Sequence, residues 1–404
     1  MLALLTLTPT KSFAQMSSVR DSRDGRPFIL FVHGRSQEGR SDSAIVFEWL
    51  GAMKEGLKRA GDSTLFDSGD VAFVMYQHFY ETPAHRDERC PGGRPVSAGI
   101  ADGDVVEKAF RNAAIQKGDT RSAKDVSLDM LRAGLARMPN TTQTLGLWRA
   151  EDTRLYLDRA TVEHCSTDRA LVHGFQAARG RPLIIVAHSM GGLVDYDVLT
   201  RDTALVSGVR VVRLITLGTQ VGFRPMAESL TGRADIPFPY PRVGRWVNIH
   251  DVDDPVGWPT YDVTKELFAP NAETGVPPID IPIHMDNAYH HAISGYLSHP
   301  VVVHAIAGAW CKEAKPRPAT CDRFAFEDVG PGNGPPGVPA WNLIAKRTVR
   351  FGGAAALGAI AGAVIARNDD YVASRKWPTI ALTGGGAVMG ALVALAWDRW
   401  FPNQ

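Results

Sequence analysis

The chain has 404 residues, with 44 Lys+Arg against 43 Asp+Glu and a formal net charge of +1. It therefore lacks the broad positive field of a dedicated nucleic-acid binder. With 45% hydrophobic and 22% charged residues, the composition is that of a folded globular protein and excludes global disorder. The four cysteines include no C-x-x-C pair, which excludes a disulfide-dense scaffold and argues against a zinc ribbon or a thioredoxin-like redox site.

Residues 1–25 open with a short apolar run, MLALLTLTP, followed by Ser12-Phe13-Ala14. The pattern resembles the hydrophobic region and small-x-small cleavage site of a secretory signal, but without the basic start such signals carry. Export and retention both stay open on this segment alone. Beyond it, 26–312 alternates short apolar runs with helical stretches. The runs at 28–32 (FILFV), 71–76 (VAFVMY), 183–187 (LIIVA), 211–217 (VVRLITL) and 246–249 (WVNI) suit strands buried on both faces of a mostly parallel sheet. Helical patterns at 44–59 and 193–200 separate them, which predicts an α/β fold with helices flanking the sheet. About 81–165 breaks the rhythm as an insertion with helix-like segments at 106–116, 126–138 and 151–160, a lid or cap over a site. A further helical pattern at 168–178 supplies the crossover back into the sheet.

The stretch 313–341 is rich in Pro and Gly (PGNGPPGVP) and reads as a linker. It leads to 342–404, where two uncharged runs occur: 351–366, bounded by Arg350 and Arg367, and 377–397, bounded by Lys376 and Asp398. A helix needs roughly 20 residues to cross a hydrocarbon core. The second run has 21, with Trp377 and Trp397 at its edges where interfacial tryptophans belong. Each run carries a G-x-x-x-G, Gly358 to Gly362 and Gly386 to Gly390, a spacing that lets helices pack closely in lipid and permits self-association. A two-helix transmembrane hairpin is the expectation, its alternative a Gly/Ala-rich helical pair in a soluble core. For the cysteines, Cys311 with Cys321 and Cys90 with Cys165 are the natural pairings, and four reduced thiols the equal alternative.

One motif carries chemistry. Residues 183–192 read LIIVAHSMGG: a buried strand, then Ala187-His188-Ser189-Met190-Gly191, then a helical run. This is the strand-turn-helix pattern of a nucleophile elbow with alanine in place of its first glycine. Small residues two positions either side of the serine avoid clashes at the tight turn. Here the chain resembles the α/β-hydrolase superfamily, its lipase/esterase branch in particular, over roughly 26–309. Residues 28–34 (FILFVHG) look like the early strand ending in His-Gly. Residues 246–257 (WVNIHDVDDPVG) look like the strand and loop that supply the acid, and 289–300 (YHHAISGYLSHP) like the segment that supplies the histidine.

The resemblance implies a Ser…Asp…His order: Ser189 as nucleophile, Asp254 as acid with Asp251 as runner-up, and His291 as base with His290 as runner-up. Asp253 is the third acid in that loop. Met190 and Arg35 would give the main-chain N–H groups of an oxyanion hole. His33 and His188 are expected to support loop geometry. His284, His299 and His304 lack acidic partners at helical spacing, so neither metal nor organic cofactor is expected. The implied activity is that of a serine ester hydrolase working through an acyl-enzyme, on an ester or lipid substrate. It would be anchored in the cell envelope through 351–366 and 377–397, with the catalytic domain extracytoplasmic. An amidase or peptidase with the same triad, a secreted membrane-inserting lipase-type effector and a non-catalytic binding module are the alternatives.

Overall fold

A computed structural model describes residues 25–324 except 36, 38, 62–63, 82–89, 91–98, 115–150, 179, 202–207, 223, 233–236, 240–242, 252–253, 255–267, 269–274 and 286–289. The expected signal-like segment, the helix expected at 126–138, Asp253 and the membrane hairpin at 342–404 lie outside the described residues. Among those described, no helix is long and apolar enough to cross a membrane.

In chain order the elements are β1 (Phe28–Val32), α1 (Asp42–Arg59), a 3-10 turn (Ser68–Asp70), β2 (Val71–Val74), α2 (His78–Glu81) and α3 (Gly103–Asn112). Then follow α4 (Glu151–Leu157), α5 (Val162–Ala177), β3 (Leu183–His188), α6 (Met190–Arg201), β4 (Val211–Leu217) and α7 (Arg224–Thr231). The last are β5 (Trp246–Asp251), β6 (Ile279–Ile283), α8 (Ile293–Ser298), α9 (Pro300–Glu313) and a 3-10 turn (Ala319–Phe324). The six strands form one sheet in the order β2-β1-β3-β4-β5-β6, every neighbouring pair parallel. The fold is therefore α/β.

The continuous apolar runs are explained by cover on both sides. In β1, Ile29 and Phe31 join a core shared with α1, α3, α8 and α9. Phe28, Leu30 and Val32 point the other way, into a core shared with α5 and α6. Every residue of β1, β3 and β5 is buried. Strand β6 differs: its sequence IDIPI alternates in burial, and Pro282 sits on the sheet edge, where no further strand needs the N–H that proline lacks. Helix α1 starts where Ser41 Oγ accepts the Ala44 N–H (3.3 Å), and it buries Trp49 edge-on against Phe31 and Phe73.

Parts of the expected insertion belong to the body. Ile100 bridges Val74 in antiparallel sense, with Met75 N–H donating to the Gly99 carbonyl (2.7 Å) and Ala101 N–H to the Phe73 carbonyl (3.0 Å). Helix α3 follows, burying Val106 and Ala109 in the same core as α1. All four cysteines are paired, Cys90–Cys165 and Cys311–Cys321. The second pair draws the chain after α9 back onto the body, where Cys321 and Phe324 are buried. The start of the expected linker, up to Phe324, is thus packed.

Candidate active site

With all strands parallel, their carboxyl ends face one way, and the loops after β1, β3, β4 and β5 converge there. This is where open α/β sheets hold their ligands. Ser189 follows β3 directly and precedes α6, with φ at 54°. Its N–H donates to the Leu217 carbonyl (2.9 Å), and its carbonyl accepts the Gly192 N–H (3.0 Å), so the turn is fixed from both sides. Crowding dictates the small residues around it. A Cβ on Gly191 would lie 2.5 Å from the Val32 carbonyl oxygen and 2.6 Å from that of His33. One on Gly34 would lie 2.8 Å from Ser189 Cβ, so the loop after β1 rests on the serine itself. Arg35 comes next in that loop. Met190 opens α6, and its N–H belongs to the helix's first turn, where no intrahelical acceptor exists and negative charge is favoured.

His33 holds this loop. Its Nδ1 lies 2.7 Å from the Gly34 carbonyl oxygen and its Nε2 2.8 Å from Gln77 Oε1, and the Tyr76 hydroxyl donates to the His33 carbonyl. Burial pushes the His33 imidazole down to about 4, against the contrary pull of the Gly34 and Gln77 hydrogen bonds. A histidine so placed is a neutral structural group.

His291 and Asp254 complete a linear array with Ser189. The Ser189 hydroxyl donates to His291 Nε2 (2.9 Å), and His291 Nδ1–H donates to Asp254 Oδ2 (2.8 Å). The carboxylate can only accept, so the imidazole proton belongs on Nδ1 and Nε2 is left to receive the serine proton. All three residues are buried. His188 stands behind the base: its Nε2 donates to the His291 carbonyl (3.1 Å), and the two rings lie 4.7 Å apart.

The runners-up form a pair of their own. Asp251, the last residue of β5, accepts the Met285 N–H (2.8 Å) and His290 Nδ1–H (3.0 Å) on Oδ2. Asp254 is held one turn further on, its N–H donating to the Asp251 carbonyl (3.0 Å). Three more residues shape the site without having been singled out in the sequence: Tyr296, Gly218 and Asp152. Tyr296 on α8 donates its hydroxyl to Asp254 Oδ2 (2.6 Å). Gly218 has φ 54°, and a Cβ there would lie 2.6 Å from Asp254 Oδ2. Asp152 on α4 has Oδ1 3.7 Å from Arg35 Nε, while its neighbour Thr153 donates to Met190 Sδ (3.7 Å). Helix α4 thus touches both residues expected to supply oxyanion donors. Tyr296 is recognisable in sequence only as one helical turn past His291, and Asp152 carries no sequence signal at all.

Behind α4 lies a buried ionic cluster. His164, Asp168 and Asp197 bring their ligand-type atoms within 4.8 Å of one another, a set that could hold a metal ion. Arg201 occupies its centre. Its Nη1 donates to His164 Nε2 (2.5 Å), and its Nη2 bonds Asp168 Oδ2 and lies 3.4 Å from Asp197 Oδ2. Tyr156 on α4 donates to both Asp168 (3.0 Å) and Asp197 (3.1 Å). The guanidinium supplies the cation these carboxylates need. A comparison with protein-family models and one with curated proteins each give no match for this chain.

Proposed function

We propose that the chain is a membrane-associated serine ester hydrolase of the lipase/esterase kind, acting through an acyl-enzyme on Ser189. The observation that carries the reading is the array Asp254–His291–Ser189, with the serine on a left-handed strand-to-helix turn. A serine hydroxyl is a weak nucleophile at neutral pH and needs a base in hydrogen-bond reach. In the proposed reaction Ser189 Oγ attacks the ester carbonyl while His291 Nε2 takes its proton. Asp254 keeps the imidazole in the Nδ1–H tautomer and stabilises the imidazolium. The Met190 and Arg35 N–H groups receive the oxyanion, the alcohol leaves with the proton from His291, and water then hydrolyses the acyl-enzyme. The all-parallel sheet and the Ser…Asp…His order agree with the α/β-hydrolase resemblance. The uncharged runs at 351–366 and 377–397 support membrane association. The two disulfides support placement of this domain in an oxidising compartment, since such bonds are rare in a reducing cytosol.

Labelling with a fluorophosphonate probe tests the reading. Wild-type protein is expected to label, Ser189→Ala not at all, and Asp254→Asn and His291→Ala to slow by about 10³-fold or more. Matched ester and amide substrates then give turnover on the ester. Absence of labelling in folded protein, with and without lipid vesicles, would make this a non-catalytic binding module.

A further inference from the structure

Tyr296 touches both Asp–His pairs. Its hydroxyl oxygen accepts the Asp251 N–H (2.9 Å), and its proton goes to Asp254 Oδ2 (2.6 Å), the same oxygen that accepts His291 Nδ1–H (2.8 Å). Because Asp251 N–H occupies the lone-pair side of the phenol, the direction of its proton is fixed. Asp251 is fixed in turn, its carboxylate held by Met285 N–H and His290 Nδ1–H. A chain of hydrogen bonds therefore runs from the Asp251 backbone N–H through Tyr296, Asp254 and His291 to Ser189. Tyr296 is fully buried, and Gly218, the one residue type that leaves room for it, lies beneath both groups: a Cβ there would be 2.9 Å from the Tyr296 hydroxyl.

We propose that Tyr296 is a positioning residue of the hydrolase site, whose hydroxyl orients the Asp254 carboxylate and sets the basicity of His291; the proposal rests on the reading of Ser189 as nucleophile. Two effects follow from one hydrogen bond. The donated proton holds the carboxylate in the rotamer that meets Nδ1. It also draws charge from Oδ2, so that Asp254 stabilises the imidazolium less than a bare buried carboxylate would. Burial, and then the Asp254 charge, push the Tyr296 hydroxyl well above the usual phenol range, so it remains a donor at every pH the site meets. Among the described residues, the other ionisable groups around the pair are His188, against the His291 ring, His250, which feels the Asp254 charge, and Asp251 with His290.

The test uses the full chain and two readouts. In a Ser189→Ala background, NMR titration of His291 is compared between Tyr296 and Tyr296→Phe. Removing the donor is expected to raise the His291 midpoint. With Ser189 intact, Tyr296→Phe is expected to lower kcat on a short-chain p-nitrophenyl ester by about tenfold or more with KM changed less than about twofold, and to move the acid limb of the pH profile upward. Fluorotyrosine placed at 296, a stronger donor in the same ring, should move the His291 midpoint down, and it serves where the phenylalanine variant does not fold. A His291 midpoint that stays put in these variants overturns the proposal, even if activity falls through lost stability. Wild-type protein inert to the probe, with His291 still responding to Tyr296, overturns the hydrolase reading and leaves the positioning role standing.

Discussion

Ser189 holds φ at 54°, the one non-glycine residue among those described to do so. For an L-residue that conformation costs about 1–2 kcal/mol, through crowding of Cβ against the following carbonyl. The strain is compensated by the turn's hydrogen bonds and by packing against the loop after β1. A glycine at the same place escapes the crowding, whereas an alanine does not. Ser189→Gly is therefore expected to be more stable than Ser189→Ala by about 1 kcal/mol, read from urea denaturation midpoints at constant m. Both variants lose labelling; the ordering of their stabilities reports the backbone. Equal midpoints, or the reverse order, would show the turn to be unstrained. Ser189 was legible because everything it needs is local: an apolar strand before it, small residues beside it, a helix after it. The preference for Asp254 over Asp251 comes from the resemblance of segment 246–257 and not from a local pattern. Both lie within a few residues of the strand end, and what separates them is that β5 runs on to Asp251, whose carboxylate turns to Met285 and His290. Among the described residues, the acid that meets His291 is Asp254, in the following turn.

Among the elements, α4 is tied at both ends. One end meets the loop after β1 and the start of α6 through Asp152 and Thr153. The other is tied to α5 and α6 through Tyr156, whose hydroxyl bridges Asp168 and Asp197. Arg159 adds a weaker tie to Asp197 (3.5 Å). The whole arrangement depends on Arg201. Burial raises the Asp197 carboxyl above its ordinary range, opposed mainly by the Arg201 charge, so loss of that charge leaves two buried carboxyls without their main cation. Arg201→Leu is expected to destabilise the fold by about 3–5 kcal/mol, as measured by chemical denaturation, because one partner of a buried ionic network is removed and the others remain. A loss below about 1 kcal/mol would mean that water or rearranged side chains satisfy the acids. Helices α1 and α6 were legible from their apolar periodicity, and the expected helix at 151–160 appears as Glu151–Leu157. Strand β6 was not, because Asp280 and Pro282 interrupt its apolar residues, and its place is decided by pairing with β5, including Asn248 Nδ2–H donating to Asp280 (2.7 Å).

At the scale of the whole molecule, the α/β alternation was legible because a sheet covered on both sides demands unbroken apolar strands. The convergence of the loops on one end could not be read residue by residue, since it is a property of six parallel strands together. That convergence also buries two histidines at the ends of strands: His33 after β1 and His250 near the end of β5, exposed by only 2% and 1%. Burial pushes both down to about 4, with the Asp254 charge pulling His250 back only in part. In the unfolded chain each would titrate near 6.5. Between those two values the unfolded chain binds protons that the native state refuses, so stability is complete above 6.5, falls as pH drops through that window, and levels off below about 4. The linkage amounts to about 2 kcal/mol per histidine by pH 5. That fall precedes the range in which ordinary carboxylates take up protons. Urea midpoints recorded from about pH 7 to pH 5 should therefore decline at constant m, and His250→Leu should make that decline shallower, while the raised carboxyls of Asp195 and Asp197 act the other way in both proteins. A decline equally steep in His250→Leu and in wild type would mean that the His250 ring is not held neutral. Since His33 carries the loop that rests on Ser189 and His250 lies four residues before Asp254, acid should loosen the site first, before the strands beneath it part.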